Sequence, residues 1–144
     1  MLKLQVNNEY ARLKAVLFGT AQNNGPTPSA ESCYDPNSLS HVLAGTYPTE
    51  ADMQNEMSAV LAVFQKYEVE VFRPSIIANC NQIFARDIAF VIDTKFIKSN
   101  ILPDRAEEFQ ALETLLEKIN PEDLIQLPED CHVEGGDVIL YNDY

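Results

Sequence analysis

Two acidic residues stand directly before apolar runs and are well placed to do chemistry. Asp87 precedes an apolar, largely β-branched run at residues 88–92, and Glu134 opens the sequence EGGD, which leads into a second apolar run at residues 138–141. Each run predicts a buried strand. A carboxylate at the mouth of such a strand loses hydration unless a cation or hydrogen-bond donors meet it. We therefore expect the two strands to bring Asp87 and Glu134 to one pocket.

Both acids also have ordinary structural interpretations. Asp87 could form a salt bridge with the adjacent Arg86 or end a turn, and the glycines after Glu134 could belong to a bulge or a hairpin. Glycines at 135 and 136 would also permit positive φ angles and a close approach of two backbones. Taken without other information, the residues favour these structural interpretations.

The composition limits the class of protein. The 144 residues are about one domain long, and 46% of them are hydrophobic. The net charge of −12 argues against nucleic acid and anionic membranes as partners. The N-terminus lacks a signal-peptide pattern, and no run approaches the ~20 apolar residues of a membrane span, so we expect a soluble cytoplasmic protein. The three scattered cysteines, Cys33, Cys80 and Cys131, predict reduced thiols, and we expect neither a metal nor a cofactor.

Alternating strand and helix signals predict an α/β fold. Strands are predicted at residues 12–19, 69–74, 88–93, 94–98, 124–128 and 138–141, with 88–98 forming a hairpin. One helix is predicted from Thr49 to about Tyr67, and a second begins at residues 103–104 and ends before Pro121. The chain thus runs twice through hairpin-like strands, a helix and a returning strand.

The helices have distinct apolar faces, and a long polar segment precedes them. The first helix is expected to bury Met53, Met57, Val60, Leu61 and Phe64. The second is expected to bury Phe109, Leu112, Leu115, Leu116 and Ile119 and to expose Glu107, Glu108, Glu113, Glu117 and Lys118. Residues 21–48 contain four prolines and predict a long loop, either a lid over the site or a mobile surface excursion.

These segments together resemble the guanidino-group-modifying superfamily, which includes amidinotransferases, arginine deiminases and dimethylarginine dimethylaminohydrolases. The resemblance rests on EYARLKAVLFG at residues 9–19, VFRP at 71–74, FARD at 84–87 with the strand after it, and EGGDV at 134–138. Each motif is short, but they follow in order along almost the whole chain.

The resemblance implies a fold that the periodicity does not. Members of the superfamily form a pentein-type α/β propeller, in which ββαβ modules surround a central site. The chain is then expected to cover about two modules. Residues 1–144 would be the N-terminal part of a single, incomplete propeller domain.

The resemblance also implies residue roles. As catalytic residues, Asp87 would grip the substrate guanidinium and Glu134 would orient a histidine. Asn81 and Phe84 match positions that hold the rest of the substrate, and Asp137 is included with Asp87 among the substrate-binding residues. The catalytic histidine and the nucleophilic cysteine of the superfamily lie further along the chain than Tyr144. Strand alternation argues against Cys131 and His132 replacing them, because adjacent side chains face opposite ways.

The implied function is an enzyme acting on arginine or a related guanidino compound. A cysteine would attack the guanidino carbon and form a covalent amidino intermediate, which water resolves in a hydrolase and an acceptor amine resolves in an amidinotransferase. The 144 residues alone would be inactive, and self-association stays open. The alternative is a non-catalytic α/β module that binds a cationic ligand or regulates a partner protein.

Overall fold

The computed structural model describes residues 1–33 and 35–141. Five short strands in this part of the chain form a two-stranded sheet and a three-stranded sheet. Helical segments alternate with the strands, which confirms the predicted α/β class. None of the helices described is long and apolar enough to cross a bilayer.

The first sheet is a parallel pair. Strand β1 (Ala15–Leu17) lies beside β2 (Glu70–Phe72), with Val16 opposite Val71. Both strands lie inside the predicted segments 12–19 and 69–74 and are shorter than predicted. Parallel neighbours need a crossover connection, and here helices supply it.

A nine-residue helix, α1 (Pro36–Ala44), interrupts the segment for which the prolines predict a long loop. That prediction is wrong because Pro36 occupies the first helical turn, where its missing N–H has no helical partner and its fixed φ suits a helix. The side chain of Asp35 caps the helix by accepting from two backbone N–H groups, and Gly45 ends it at a φ of 66°.

The second helix of the crossover, α2 (Glu50–Lys66), begins where the sequence predicts. Thr49 and Asp52 form a reciprocal capping box. The predicted inward residues Met53, Met57, Leu61 and Phe64 are half-buried, whereas Val60 is exposed. No residue of α2 is fully buried, so this helix lies at the edge of the described structure.

A single helical turn, α3 (Ala85–Ile88), precedes the second sheet. Asp87 therefore lies in a helical turn and not at the start of a strand, which corrects the predicted geometry. The cause is the burial of Ala85 and Ile88 on one side of the turn, which directs Arg86 and Asp87 away from the core.

The second sheet begins with the predicted hairpin. Strand β3 (Ala89–Ile92) pairs antiparallel with β4 (Lys95–Lys98), and Asp93 turns between them at a φ of 51°. Strand β5 (Leu124–Gln126) adds parallel to β4, with Ile97 opposite Ile125. This unit therefore has the order strand, strand, helix, strand, while the described part of the first sheet contains two strands.

The predicted helix between β4 and β5 is broken into three pieces. A 3₁₀ turn (Pro103–Arg105) leads into α4 (Ala106–Gln110), and α5 (Glu113–Leu116) follows a two-residue gap. Leu112, Leu115 and Ile119 are buried as predicted. Glu108 is also buried, so its placement on a solvated face is wrong. It lies four residues before Leu112 and belongs to the same inward stripe.

The segment after Glu134 forms a 3₁₀ turn (Gly135–Asp137) and then irregular chain. The strand predicted at residues 138–141 is absent from the described structure. The apolar residues there have no strand partner, and Ile139 is largely exposed. A short apolar run alone does not supply the ladder of hydrogen bonds that a strand requires.

The buried core lies between the second sheet and the broken helix. Its buried members are Ile88, Ala89, Phe96, Leu112 and Ile119. Leu17 of the first sheet and Leu2 and Leu4 of the N-terminal segment pack against this cluster. Both sheets thus contribute to one apolar cluster, which includes Ile88 of α3, the residue next to Asp87.

We predict that Leu112→Ala lowers the free energy of unfolding by about 2–5 kcal/mol, because it leaves a cavity in the core. Leu112 is fully buried, whereas Leu43 on α1 is 71% exposed and supplies the control. Chemical denaturation of both variants measures the difference. Equal losses for Leu112→Ala and Leu43→Ala would show that the core is placed incorrectly.

Candidate active site

Asp87 and Glu134 meet at one guanidinium, that of Arg105. Nη1 of Arg105 lies 3.1 Å from Oδ2 of Asp87 and 3.4 Å from Oε1 of Glu134. The sequence predicts that the two carboxylates come together, and the structure brings them together here. Their meeting point is a residue that the sequence analysis does not single out.

The same guanidinium binds a third carboxylate. Nε and Nη2 of Arg105 donate to the two oxygens of Glu108, at 2.6 Å and 3.0 Å. This fork is the strong, bidentate form of an arginine–carboxylate pair. The Arg105 side chain is 10% exposed. The hydrogen bond to Glu108, followed by the smaller influence of Asp87, raises the pKa of Arg105 above its ordinary value, so the guanidinium stays charged.

Arg105 and Glu108 are functional candidates that the sequence reasoning missed. The available signal is helical spacing: Glu108 precedes Leu112 by four residues and Arg105 precedes Glu108 by three, so all three share one face. Placing Glu108 on the solvated face overlooks that a buried charge is stable when it is paired.

The glycines after Glu134 allow the turn to pack closely on α3. A Cβ at Gly135 would overlap the carbonyl oxygen of Arg86, and one at Gly136 would lie 3.0 Å from Oδ1 of Asp87. The described glycines with positive φ are Gly25 and Gly45. Gly135 is therefore required for the close approach of the two backbones, whereas Gly136 approaches only the side chain of Asp87. Of the two expected reasons for these glycines, close approach is the one that holds.

Arg86 fastens three segments together. Its Nε donates to the carbonyl oxygen of Gly135 at 2.8 Å, and its Nη2 donates to that of Val138 at 2.6 Å. Nη2 also lies 3.1 Å from Oε1 of Glu9. The structural alternative, a salt bridge between Asp87 and Arg86, is thus wrong. Asp87 does form a salt bridge, but with Arg105, because α3 directs Arg86 toward the turn and Asp87 toward Arg105.

The predicted substrate-binding residues lie at separate places. Asn81 lines a polar cavity of about 250 Å³ near α1. Glu134 and Asp137 line another cavity, of about 290 Å³, together with Asn100. Phe84 is 57% exposed at the start of α3. The structure therefore brings Asp87 and Glu134 together but does not gather Asn81 and Asp137 into one cavity.

Of the cysteines in the described chain, Cys80 is buried and poorly suited to act as a nucleophile. Burial, and secondarily the charge of Glu108, raises the pKa of Cys80, which disfavours the thiolate. Cys131 is exposed and Cys33 is partly so. Within residues 1–33 and 35–141, no three His, Cys, Asp or Glu side chains are grouped as metal ligands.

Solved structures of two amidinotransferases are similar to this fold. The inosamine-phosphate amidinotransferase of Streptomyces griseus matches with a TM-score of 0.61 and 19% identity, over 89% of this chain and 44% of that protein. SxtG, an amidinotransferase of the saxitoxin biosynthetic pathway of Microseira wollei, matches with a TM-score of 0.62 and 17% identity, over 87% of this chain and 43% of that protein. The chain has an amidinotransferase fold.

The expected likeness to amidinotransferases is thereby confirmed at the level of the fold. The chain spans less than half the length of either amidinotransferase. No protein-family model and no curated protein sequence matches the chain. The amidinotransferase likeness is therefore one of backbone arrangement, and the residues of the site must carry any argument about chemistry.

We predict that Gly135→Ala destabilises this amidinotransferase fold by about 1–3 kcal/mol or more, because the new methyl group displaces the Arg86 backbone. Gly136→Ala is the matched control, since its methyl group meets no backbone atom and one side-chain atom, Oδ1 of Asp87, at 3.0 Å. Thermal unfolding of both variants measures the effect. Equal stability of the two variants would contradict the close packing of the turn on α3.

We also predict an acid-dependent loss of stability at the Arg86 contact. The hydrogen bond from Arg86 holds the pKa of Glu9 below its ordinary value of 4.5. A carboxyl whose pKa is lower in the folded state stabilises the fold above the unfolded-state pKa and loses that contribution as pH falls through the folded value. Glu9→Gln should therefore lower the melting temperature at neutral pH but not in acid.

Glu68 provides the control for this measurement, because its pairing with Arg12 is highly exposed at 3.8 Å. Glu68→Gln should have little effect at any pH. Melting curves of wild type and both variants between pH ~7 and ~3 test the expectation. A wild-type advantage over Glu9→Gln that is constant across this range would contradict it.

Proposed function

We propose that the chain supplies the carboxylate half of the active site of a guanidino-group-modifying enzyme. The observation that carries the proposal is the convergence of Asp87 and Glu134, distant in sequence, on one guanidinium group. That convergence occurs in a chain with an amidinotransferase fold. Two acids that can hold an arginine side chain have the right chemistry to hold a guanidino substrate.

Asp87 is proposed to bind the substrate guanidinium. A guanidinium is planar and permanently charged at neutral pH, and it presents N–H donors in a fork that suits a carboxylate. The Asp87 side chain is 24% exposed, enough to be reached and sheltered enough to favour a charged hydrogen bond. Fixing the group in this way presents its central carbon for attack.

Glu134 is proposed to orient a histidine and to stabilise its charged form. Its side chain is 39% exposed beside the 290 Å³ cavity, so it has room for a second partner. A histidine held in this way can move protons during the reaction. The histidine and the nucleophilic cysteine are proposed to come from outside residues 1–144.

The proposed reaction is transfer of an amidino group. The cysteine thiolate bonds to the guanidino carbon, the bond from that carbon to the leaving amine breaks, and the histidine gives the amine a proton. Water or an acceptor amine then bonds to the same carbon and gives a proton to the histidine, and the carbon–sulfur bond breaks to release the cysteine thiolate. The product is a ureido compound with water and a new guanidino compound with the amine. Asp87 and Glu134 suit both outcomes, because water and an acceptor amine differ in their access to the intermediate and not in these residues.

Asn81, Phe84 and Asp137 are proposed to contact the remainder of an arginine-like substrate. Phe84 offers an exposed ring immediately before α3, and Asn81 offers an amide three residues earlier. Asp137 lies one turn after Glu134, on the wall of the same cavity. These positions are separate in the described chain, so a substrate that reaches all of them must extend across α3.

The domain is proposed to be an incomplete propeller. The strand, strand, helix, strand order of the second unit supports a ββαβ module, and the first sheet supplies part of another. A chain that spans under half of each similar amidinotransferase leaves room for the remaining modules. Residues 1–144 would then correspond to about two modules of the ring.

One observation favours the alternative, a non-catalytic module. Arg105 already neutralises part of the charge of Asp87, so this acid needs no ligand to be stable in the fold. A structural ion cluster with a regulatory or ligand-binding role would have the same appearance. The discriminating observation is the reading frame after Tyr144: a following histidine and a late cysteine support the enzyme.

We predict that Asp87→Asn, in the full-length protein, lowers kcat/KM for L-arginine by roughly 10- to 100-fold, because the amide cannot provide a charged acceptor. Glu134→Gln should act mainly on kcat and its pH profile. Steady-state release of the amine product measures both. Arg12→Gln, at an exposed position that pairs with Glu68, is the control. Unchanged kinetics in Asp87→Asn would refute the proposed binding role.

A further inference from the structure

Arg105 is held more firmly than either acid that it contacts in the candidate site. Both oxygens of Glu108 bind its Nε and Nη2, and Glu108 is buried beside Leu112 in the core face of the helix. Moving Arg105 outward would leave the Glu108 charge buried without its partner, which is strongly unfavourable. Arg105 is therefore a fixed cation and not a mobile surface arginine.

The third nitrogen of this fixed group faces the two acids. Nη1 donates to Oδ2 of Asp87 and to Oε1 of Glu134, while the other two nitrogens serve Glu108. One oxygen of each acid is thus engaged by the protein itself. Oδ1 of Asp87 is on the side of Gly136, where an added Cβ would lie 3.0 Å from it, and the Asp87 side chain is 24% exposed.

We propose that Arg105 is a positioning residue, which sets the rotamers and the separation of Asp87 and Glu134 so that one defined oxygen of Asp87 meets the ligand guanidinium. The inference rests on the proposed function and deepens it. Arg105 does not touch the substrate in this arrangement. Its effect on the reaction passes through the two carboxylates.

The charge of the cluster is consistent with binding a cation in addition to Arg105. Three carboxylates surround one guanidinium, so the group keeps a net negative charge. Of the three carboxylates, Glu108 neutralises the charge of Arg105 most directly, because Glu108 makes the shortest contacts with Arg105. Asp87 and Glu134 therefore retain attraction for a cationic ligand, while Arg105 limits the repulsion between them.

The main competing interpretation is that Arg105 imitates the substrate and blocks the site. The two interpretations predict opposite changes in activity when Arg105 is removed. A blocking arginine lowers activity and its removal raises it, whereas a positioning arginine supports activity and its removal lowers it. The buried pair with Glu108 favours positioning, because a blocking group must leave readily when substrate arrives.

The test compares Arg105→Gln, Arg105→Lys and Arg12→Gln in the full-length protein, with L-arginine as the probe. Arg12 is an exposed arginine with one long ion pair, so it is the matched control. Rates are expressed per folded, active molecule, which removes any loss of folded protein. We expect Arg105→Gln to lower kcat/KM by roughly 10- to 100-fold, through both a lower kcat and a higher KM.

Arg105→Lys should recover part of the loss in KM, because the ammonium keeps the charge but not the fork. A merely structural arginine would reduce the folded fraction and leave KM unchanged. Arg105→Gln kinetics equal to those of Arg12→Gln would overturn the proposal. So would higher activity in Arg105→Gln, which would establish blocking.

A second measurement separates this inference from the proposed function. If wild type neither binds nor converts L-arginine, the proposed function fails. Thermal unfolding of Asp87→Asn, Arg105→Gln and the double variant then tests whether Arg105 positions Asp87. We expect the drop in melting temperature caused by Asp87→Asn to be smaller in the Arg105→Gln background. Additive shifts would overturn the claim that Arg105 fixes Asp87.

Discussion

The buried pair of Arg105 and Glu108 is the interaction on which the geometry of the candidate site depends. Burying one charge is strongly unfavourable, and burying two is tolerated only when their hydrogen bonds match. Here the fork of the guanidinium meets both oxygens of the carboxylate, at 2.6 Å and 3.0 Å. Because the pair cannot separate without exposing or stranding a charge, its remaining N–H donors point in a fixed direction. Asp87 and Glu134 are found in that direction.

A second arginine completes the arrangement by joining the backbone segments that carry the acids. Arg86 and Asp87 are adjacent on α3 but point to different partners: Arg86 to the turn after Glu134, and Asp87 to Arg105. The contact of Arg86 with the Gly135 carbonyl brings the turn against α3, and the absence of a side chain at Gly135 allows it. One helical turn thus positions both carboxylates, the first by carrying Asp87 and the second by docking the chain that carries Glu134.

The features that sequence predicts well here are those set by near neighbours. Thr49 and Asp52 form a capping box from residues three apart, and the antiparallel hairpin of β3 and β4 follows from two apolar strands with a short turn. Pro36 is misread because proline excludes a helix interior but favours a helix start. Glu108 and the run at 138–141 are misread for another reason, which is that their environment depends on other parts of the chain. Glu108 is buried because Arg105 pairs with it, and residues 138–141 form no strand because they have no strand partner in the described chain. Residue type alone identifies neither.

In the proposed enzyme, the residues that bind the guanidinium and the residues that attack it come from different parts of the chain. The described chain contains Asp87, Glu134, Arg105, Glu108 and the glycine turn, so residues of this chain position the charge that would recognise a guanidinium. A fold likeness at 17–19% identity carries no chemistry by itself, and the case for guanidino chemistry therefore depends on this cluster. An internal guanidinium beside the acids is compatible with that case. It is held by a carboxylate of its own, Glu108, and it engages Oδ2 of Asp87, so that Oδ1 is left on the side of Gly136.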